Sequence, residues 1–148
     1  MNTKLSSIFI GAILGGINFL LAINLIGYTA AIVLPSSIST WATEHSLIAL
    51  VLFVWDILII QLLGVGILAA LSTYTLLKLS SLNWLYVAIG FVMVETAFSY
   101  SWLFSSYFPE NLSKFSHIQF TPHFIVVSFC VFFAASFGAK NQKSLTSR

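Results

Sequence analysis

SLIALVLFVWDILIIQLLGVGILAALSTYTLL, residues 46–77, carries a single charged side chain, Asp56. A helix needs about 20 apolar residues to cross a hydrocarbon core about 30 Å thick. This stretch exceeds that, so it is predicted to tilt or to project beyond the bilayer on the cytosolic side. Three neighbouring stretches read the same way. Residues 5–34 are closed by Pro35, which cannot continue a helix as an ordinary residue would. Residues 82–106 form a third span. Residues 122–139 form the fourth, opening with Thr121 as candidate N-cap and Pro122 at the first helical position.

The rest of the composition agrees. Of 148 residues, 59% are hydrophobic and 7% charged, and the mean hydropathy is +1.00. A soluble domain carries roughly 25% charged residues, so this chain cannot cover a globule with polar surface. Six Lys and Arg against four Asp and Glu make no basic stripe, which excludes a nucleic-acid binder. Cys130 is the one cysteine, so no disulfide forms within the chain. The expected fold is an all-α integral membrane protein, a single-domain four-transmembrane-helix bundle.

Four spans place both termini on one side. Lys4, Lys78, Lys140, Lys143 and Arg148 then share a compartment, leaving Lys114 in the other. Under the positive-inside rule both termini are cytosolic, and a bacterial inner membrane is the expected location. Trp41, Trp102 and Tyr107 fall at the outer interface, with Tyr74 and Trp84 at the inner one. The first apolar stretch is about twice the length of a signal-peptide core and is interrupted by Asn18 and Asn24, so it reads as an uncleaved span. Residues 35–45 are predicted as a short polar loop, and the tail after Ala139 as a brief exposed segment. Within residues 107–121, Pro109, Leu112, Phe115 and Ile118 either form one face of an interfacial helix or rest on the membrane as an irregular loop.

Three constellations are candidates for chemistry. The first is polar. Asp56 and Glu95 lie inside the second and third spans, near the midplane at about 1.5 Å per residue. Asn24 sits at a similar depth, with Asn18 and Gln61 one to two turns nearer the cytosol. An ionised carboxylate at mid-bilayer costs at least about 2.5–3.5 kcal/mol, and no Lys or Arg lies at that depth. The two carboxylates are therefore expected to face the interior, sharing a proton or bonding to Asn, Gln or Ser. Such a cluster is either a neutral interhelical clasp or a proton or cation relay.

The second constellation is small residues. Gly11, Gly15, Asn18 and Ala22 fall within about 60° of arc on one helix face, at 100° per residue. A smooth stripe of this kind lets helices approach closely in lipid. Gly64, Gly66, Ala70, Ala134, Ala135 and Gly138 offer further close-contact positions. The third is His45, His117 and His123, which are weak metal or haem ligand candidates at the outer face. Imidazoles there are expected to be satisfied by water, without metal or other cofactor.

No GxSxG elbow, HExxH helix, P-loop or dinucleotide-binding glycine turn occurs. The expected function is accordingly non-enzymatic. The first reading is an oligomeric membrane subunit, anchor or sensor for a partner, of the build found in bacterial defence, immunity and stress systems. Its partners would be membrane lipids, further copies of itself and a cytosolic protein docked on Lys78, Lys140, Lys143 and Arg148. The alternative is a small proton- or cation-coupled transporter or channel using Asp56 and Glu95.

Overall fold

The computed structural model describes residues 3–107 and 121–146, and among these there is no strand. Helix α1 covers Thr3–Ala30, α2 Ser36–Glu44 and α3 Ile48–Trp55. A π-helical segment, Asp56–Gly66, continues directly from α3 into α4, Ile67–Leu79. Helices α5, Trp84–Tyr107, and α6, Thr121–Thr146, complete the chain. Four helical stretches are long and apolar enough to cross a membrane: Lys4–Thr29, Ile48–Leu79, Trp84–Ser101 and His123–Lys140. Phe9, Leu20, Met93 and Phe129 lie exposed on their outer faces, the arrangement expected where the solvent is lipid.

Glycine fixes how α1 meets α5. A Cβ on Gly11 would overlap the Val87 carbonyl, and one on Gly15 the Phe91 carbonyl. Gly90 returns the relationship, since a Cβ there would overlap the carbonyl of Ile8. Partner numbers rise together along both helices, so α1 and α5 run parallel with their backbones in contact. Ser7 Oγ accepts the Asn83 N–H at 3.0 Å and pins the start of α5 to the start of α1. This close approach is the one expected of the small-residue stripe.

A second parallel pair forms from the π segment with α4 and from α6. Gly66 packs on Val126 and Cys130, and Gly138 on Leu77 and the Tyr74 backbone. The two pairs are antiparallel: Trp55 Nε1 donates to the Ile32 carbonyl at 3.2 Å, while Gly64 lies against Thr29 and Ile26. Ala22, Val65, Ala69, Phe91, Val127 and Val131 fill the core between them. The short turn after α4 crosses the bundle, because α4 and α5 have α6 and α1 as their main neighbours. Lys4, Lys78 and Lys140 gather at one end of the bundle, all exposed.

The boundaries depart from the sequence reading in three places. Helix α1 ends at Ala30, before β-branched Ile32 and Val33 and the extended residue that Pro35 imposes. Residues 35–45 are not a loop but α2, begun by Pro35 as N-cap and held by the fully buried Ala42. It closes with Leu47 N–H bonded to Ala42 O at 2.7 Å and Ser46 N–H to Thr43 O at 3.1 Å, with Ser46 left-handed at φ 56°. That is a Schellman cap with serine where glycine is usual. Helix α6 also continues past Ala139 to Thr146, where a free tail was expected. The interfacial segment with Pro109, Leu112, Phe115 and Ile118 lies outside the described residues, as does Lys114.

Candidate functional site

The π segment is what assembles the interior site. In an α-helix, residues three and four apart are neighbours, and residues five apart point some 140° away from each other at about 100° per residue. A π-helix bonds each residue to the one five along. Asp56 and Gln61 are five apart within this segment, so the π geometry brings them toward the same helix face. Gln61 Oε1 in turn faces His123 Nδ1 at 2.9 Å, which joins the π segment to the first turn of α6.

His123 then reaches α5. Its Nε2 lies 2.9 Å from Glu95 Oε1, and the Glu95 side chain is completely buried. Ser99, one turn along α5, donates to Glu95 Oε1 at 3.2 Å and lies 3.1 Å from His123 Nε2. The result is a connected line, Gln61–His123–Glu95, with Ser99 bracing its far end and Asp56 on the same π segment as Gln61. It draws on three helical elements and crosses the seam between the two parallel pairs.

The chemistry follows from the atoms. Nδ1–H donates to the Gln61 carbonyl oxygen, which leaves Nε2 facing a carboxylate oxygen. A proton in that contact rests either on Nε2, donated to the carboxylate, or on Oε1, donated to the imidazole. Both forms keep the same heavy-atom geometry, so the proton moves without rearrangement of the bundle.

The predicted polar cluster is thus assembled in part. Gln61 and Glu95 are brought together by His123, with Asp56 on the same π segment as Gln61. Asn18 is buried on α1, 2% exposed. Asn24 stands apart: it is exposed, and its Nδ2 donates back to Leu20 O at 3.2 Å. Gly11 and Gly15 touch α5, Ala22 and Ala134 are buried, and Gly64 meets α1. Lys78 and Lys140 extend from the basic end, each over an aromatic ring of its own helix, Tyr74 and Phe137. The Lys143 side chain, Arg148 and His117 lie outside the described residues.

His123 is the residue the sequence reading misplaced. Expected at the water interface beside His45, it is an interior member of the network, with both ring nitrogens engaged. His45 instead ends α2, its ring stacked on Trp41 and its Nδ1 bonded to the Trp41 carbonyl at 2.8 Å. Among the described residues no three His, Cys, Asp or Glu side chains group as metal ligands. Ser99 was also missed, though its spacing of four from Glu95 puts both on one helix face. No protein-family model, curated protein or solved structure matches the chain.

Proposed function

We propose that this chain is a small proton- or cation-coupled membrane transporter or channel whose working group is the Glu95–His123 pair. The supporting observation is the 2.9 Å contact between a fully buried carboxylate and an imidazole, continued to Gln61 on the π segment that carries Asp56. Ionisable residues inside a membrane are expensive and commonly mark ion pathways and proton relays. A purely structural clasp needs hydrogen bonds only; it does not need a buried carboxylate against an imidazole. On this reading the basic end carrying Lys4, Lys78 and Lys140 faces the cytosol and the membrane is a bacterial inner membrane.

The test uses isosteric amides in reconstituted vesicles. Glu95→Gln and Asp56→Asn keep shape and hydrogen bonding but cannot cycle a proton. Each should assemble normally and reduce proton flux about 100-fold. Normal flux in both amide variants would return the cluster to a structural role.

A second reading, the oligomeric membrane subunit, is supported by Asn24. An exposed amide on a lipid-facing helix gains from a hydrogen bond to another chain. A second copy meeting this face of α1 would bury Asn24 between copies. Asn24→Leu should then lower the detergent-solubilised mass to that of one chain, and an unchanged mass would refute that interface. A cytosolic protein docking on Lys78 and Lys140 belongs to the same reading.

A further inference from the structure

The Glu95 carboxylate is satisfied on one side only. Oε1 takes Ser99 and His123, while Oε2 is buried with no hydrogen-bond partner among the described residues. Both amide atoms of Asn18 and the Thr73 hydroxyl share that condition. All three residues are buried. Leaving such an atom unpaired is costly, and a membrane interior offers no solvent to relieve it.

Helix register brings Asn18 and Glu95 into one layer. Gly11 meets Val87 and Gly15 meets Phe91, so the next turn of the parallel pair sets Asn18 and Phe19 opposite Val94 and Glu95. The stacking of Phe19 on Phe98, centroids 5.6 Å apart, confirms that α1 and α5 stay in contact there. Thr73 lies nearer the end of α4 and so closer to the basic end. The unpartnered groups of Asn18 and Glu95 therefore come from facing turns of α1 and α5.

We infer that Glu95 Oε2 and the Asn18 side chain share an internal water molecule, with Thr73 the next polar group toward the basic end. Water fits this set better than a cation does. A buried water makes about three hydrogen bonds to otherwise unsatisfied groups. Here Oε2 and Asn18 Oδ1 accept and Asn18 Nδ2 donates. A cation would leave the Asn18 Nδ2 donors unpaired.

The water has a mechanistic role that rests on the relay proposed above. Consider Glu95 protonated on Oε1, a neutral His123 and an excess proton on the water. The Oε1–H bond breaks as Nε2–H forms, and a water O–H bond breaks as Oε2–H forms. The products are imidazolium, Glu95 protonated on Oε2 and neutral water, with one positive charge throughout. Asn18 is then a positioning residue that holds the water against the far oxygen of Glu95.

Infrared spectroscopy and vesicle flux test the two ideas separately. The Glu95 stretching band is the one lost in Glu95→Gln. In Asn18→Leu, which fills the water's place with methyl groups, that band should move to higher wavenumber as Oε2 loses its donor. In Asn18→Ala, which leaves room for water but no amide to hold it, the band should move less than in Asn18→Leu and broaden. Flux should fall about tenfold or more in the leucine variant and by less in the alanine variant. A Glu95 band unmoved in Asn18→Leu overturns the water while leaving the relay intact. A shifted band with no flux in wild-type vesicles keeps the water and removes the relay. Should Asn18→Leu fail to assemble, the wild-type protein decides the matter. A water O–H stretch sensitive to oxygen-18 and lost in Glu95→Gln supports the site, and its absence refutes it.

Discussion

Glu95 Oε1 and His123 Nε2 stand 2.9 Å apart across the seam between two parallel helix pairs. Each pair is tightly packed within itself, α1 on α5 through glycine-to-carbonyl contacts and α4 on α6 through Gly66 and Gly138. The contact between α5 and α6 is therefore the place where chemistry and the relative placement of the pairs meet.

A double-mutant cycle measures that link. Glu95→Gln and His123→Gln should each lower the apparent melting temperature in detergent. The double variant should lose less than the sum, with a coupling of about 0.5–2 kcal/mol. Strict additivity would show that the contact contributes nothing to holding the pairs together.

Glycine substitutions on α1 should be more damaging than cavity-forming ones. Gly15→Leu must push α5 off its backbone contact, and Ala22→Leu must displace the core around a residue 2% exposed. Overpacking of this kind costs about 1–3 kcal/mol. Leu14→Ala, at a partly buried position beside the core, should cost less. Thermal unfolding of the three variants checks the order.

Ser46 holds a left-handed conformation at φ 56°. Ser46→Gly removes the Cβ conflict in the α2 cap and should stabilise by about 0.5–1 kcal/mol. A lower melting temperature would mean that the serine side chain makes an interaction outweighing its strain.

Orientation is tested with engineered thiols. Cysteine replacing exposed Glu44 should react with a membrane-impermeant reagent on intact cells, and cysteine replacing Lys78 only after permeabilisation. Native Cys130 is buried and should contribute little background. The reverse pattern would invert the proposed topology.

Much of this was legible in the residues. Apolar length gave the spans, and the Gly11–Gly15 spacing marked a face that does meet another helix. Intramembrane Asp56 and Glu95 flagged the site. The π segment was not legible, because a run that is apolar on every side has no periodicity from which to tell one helix type from another. Without it, Asp56 and Gln61 seem to point apart. His123 was misread because its depth was judged along its own helix. Helix α5 runs on from Glu95 to Tyr107, so the first turn of α6 lies well below the end of its neighbour. Residues 35–45 looked like a loop because serine and threonine favour turns, whereas Pro35 and the burial of Ala42 favour a helix.

The pairing of α1 with α5 bears on how the chain is made. Ser7 and Asn83 are 76 residues apart, so the ribosome needs about 4–15 s, at about 5–20 residues per second, to deliver the partner that α1 requires. Through that interval α1 waits in the bilayer with its glycine face open to lipid and the Asn18 amide unshielded. The first helix inserted is thus among the last to find its partner, and nascent chains stalled before α5 would present that face to insertion factors and membrane proteases.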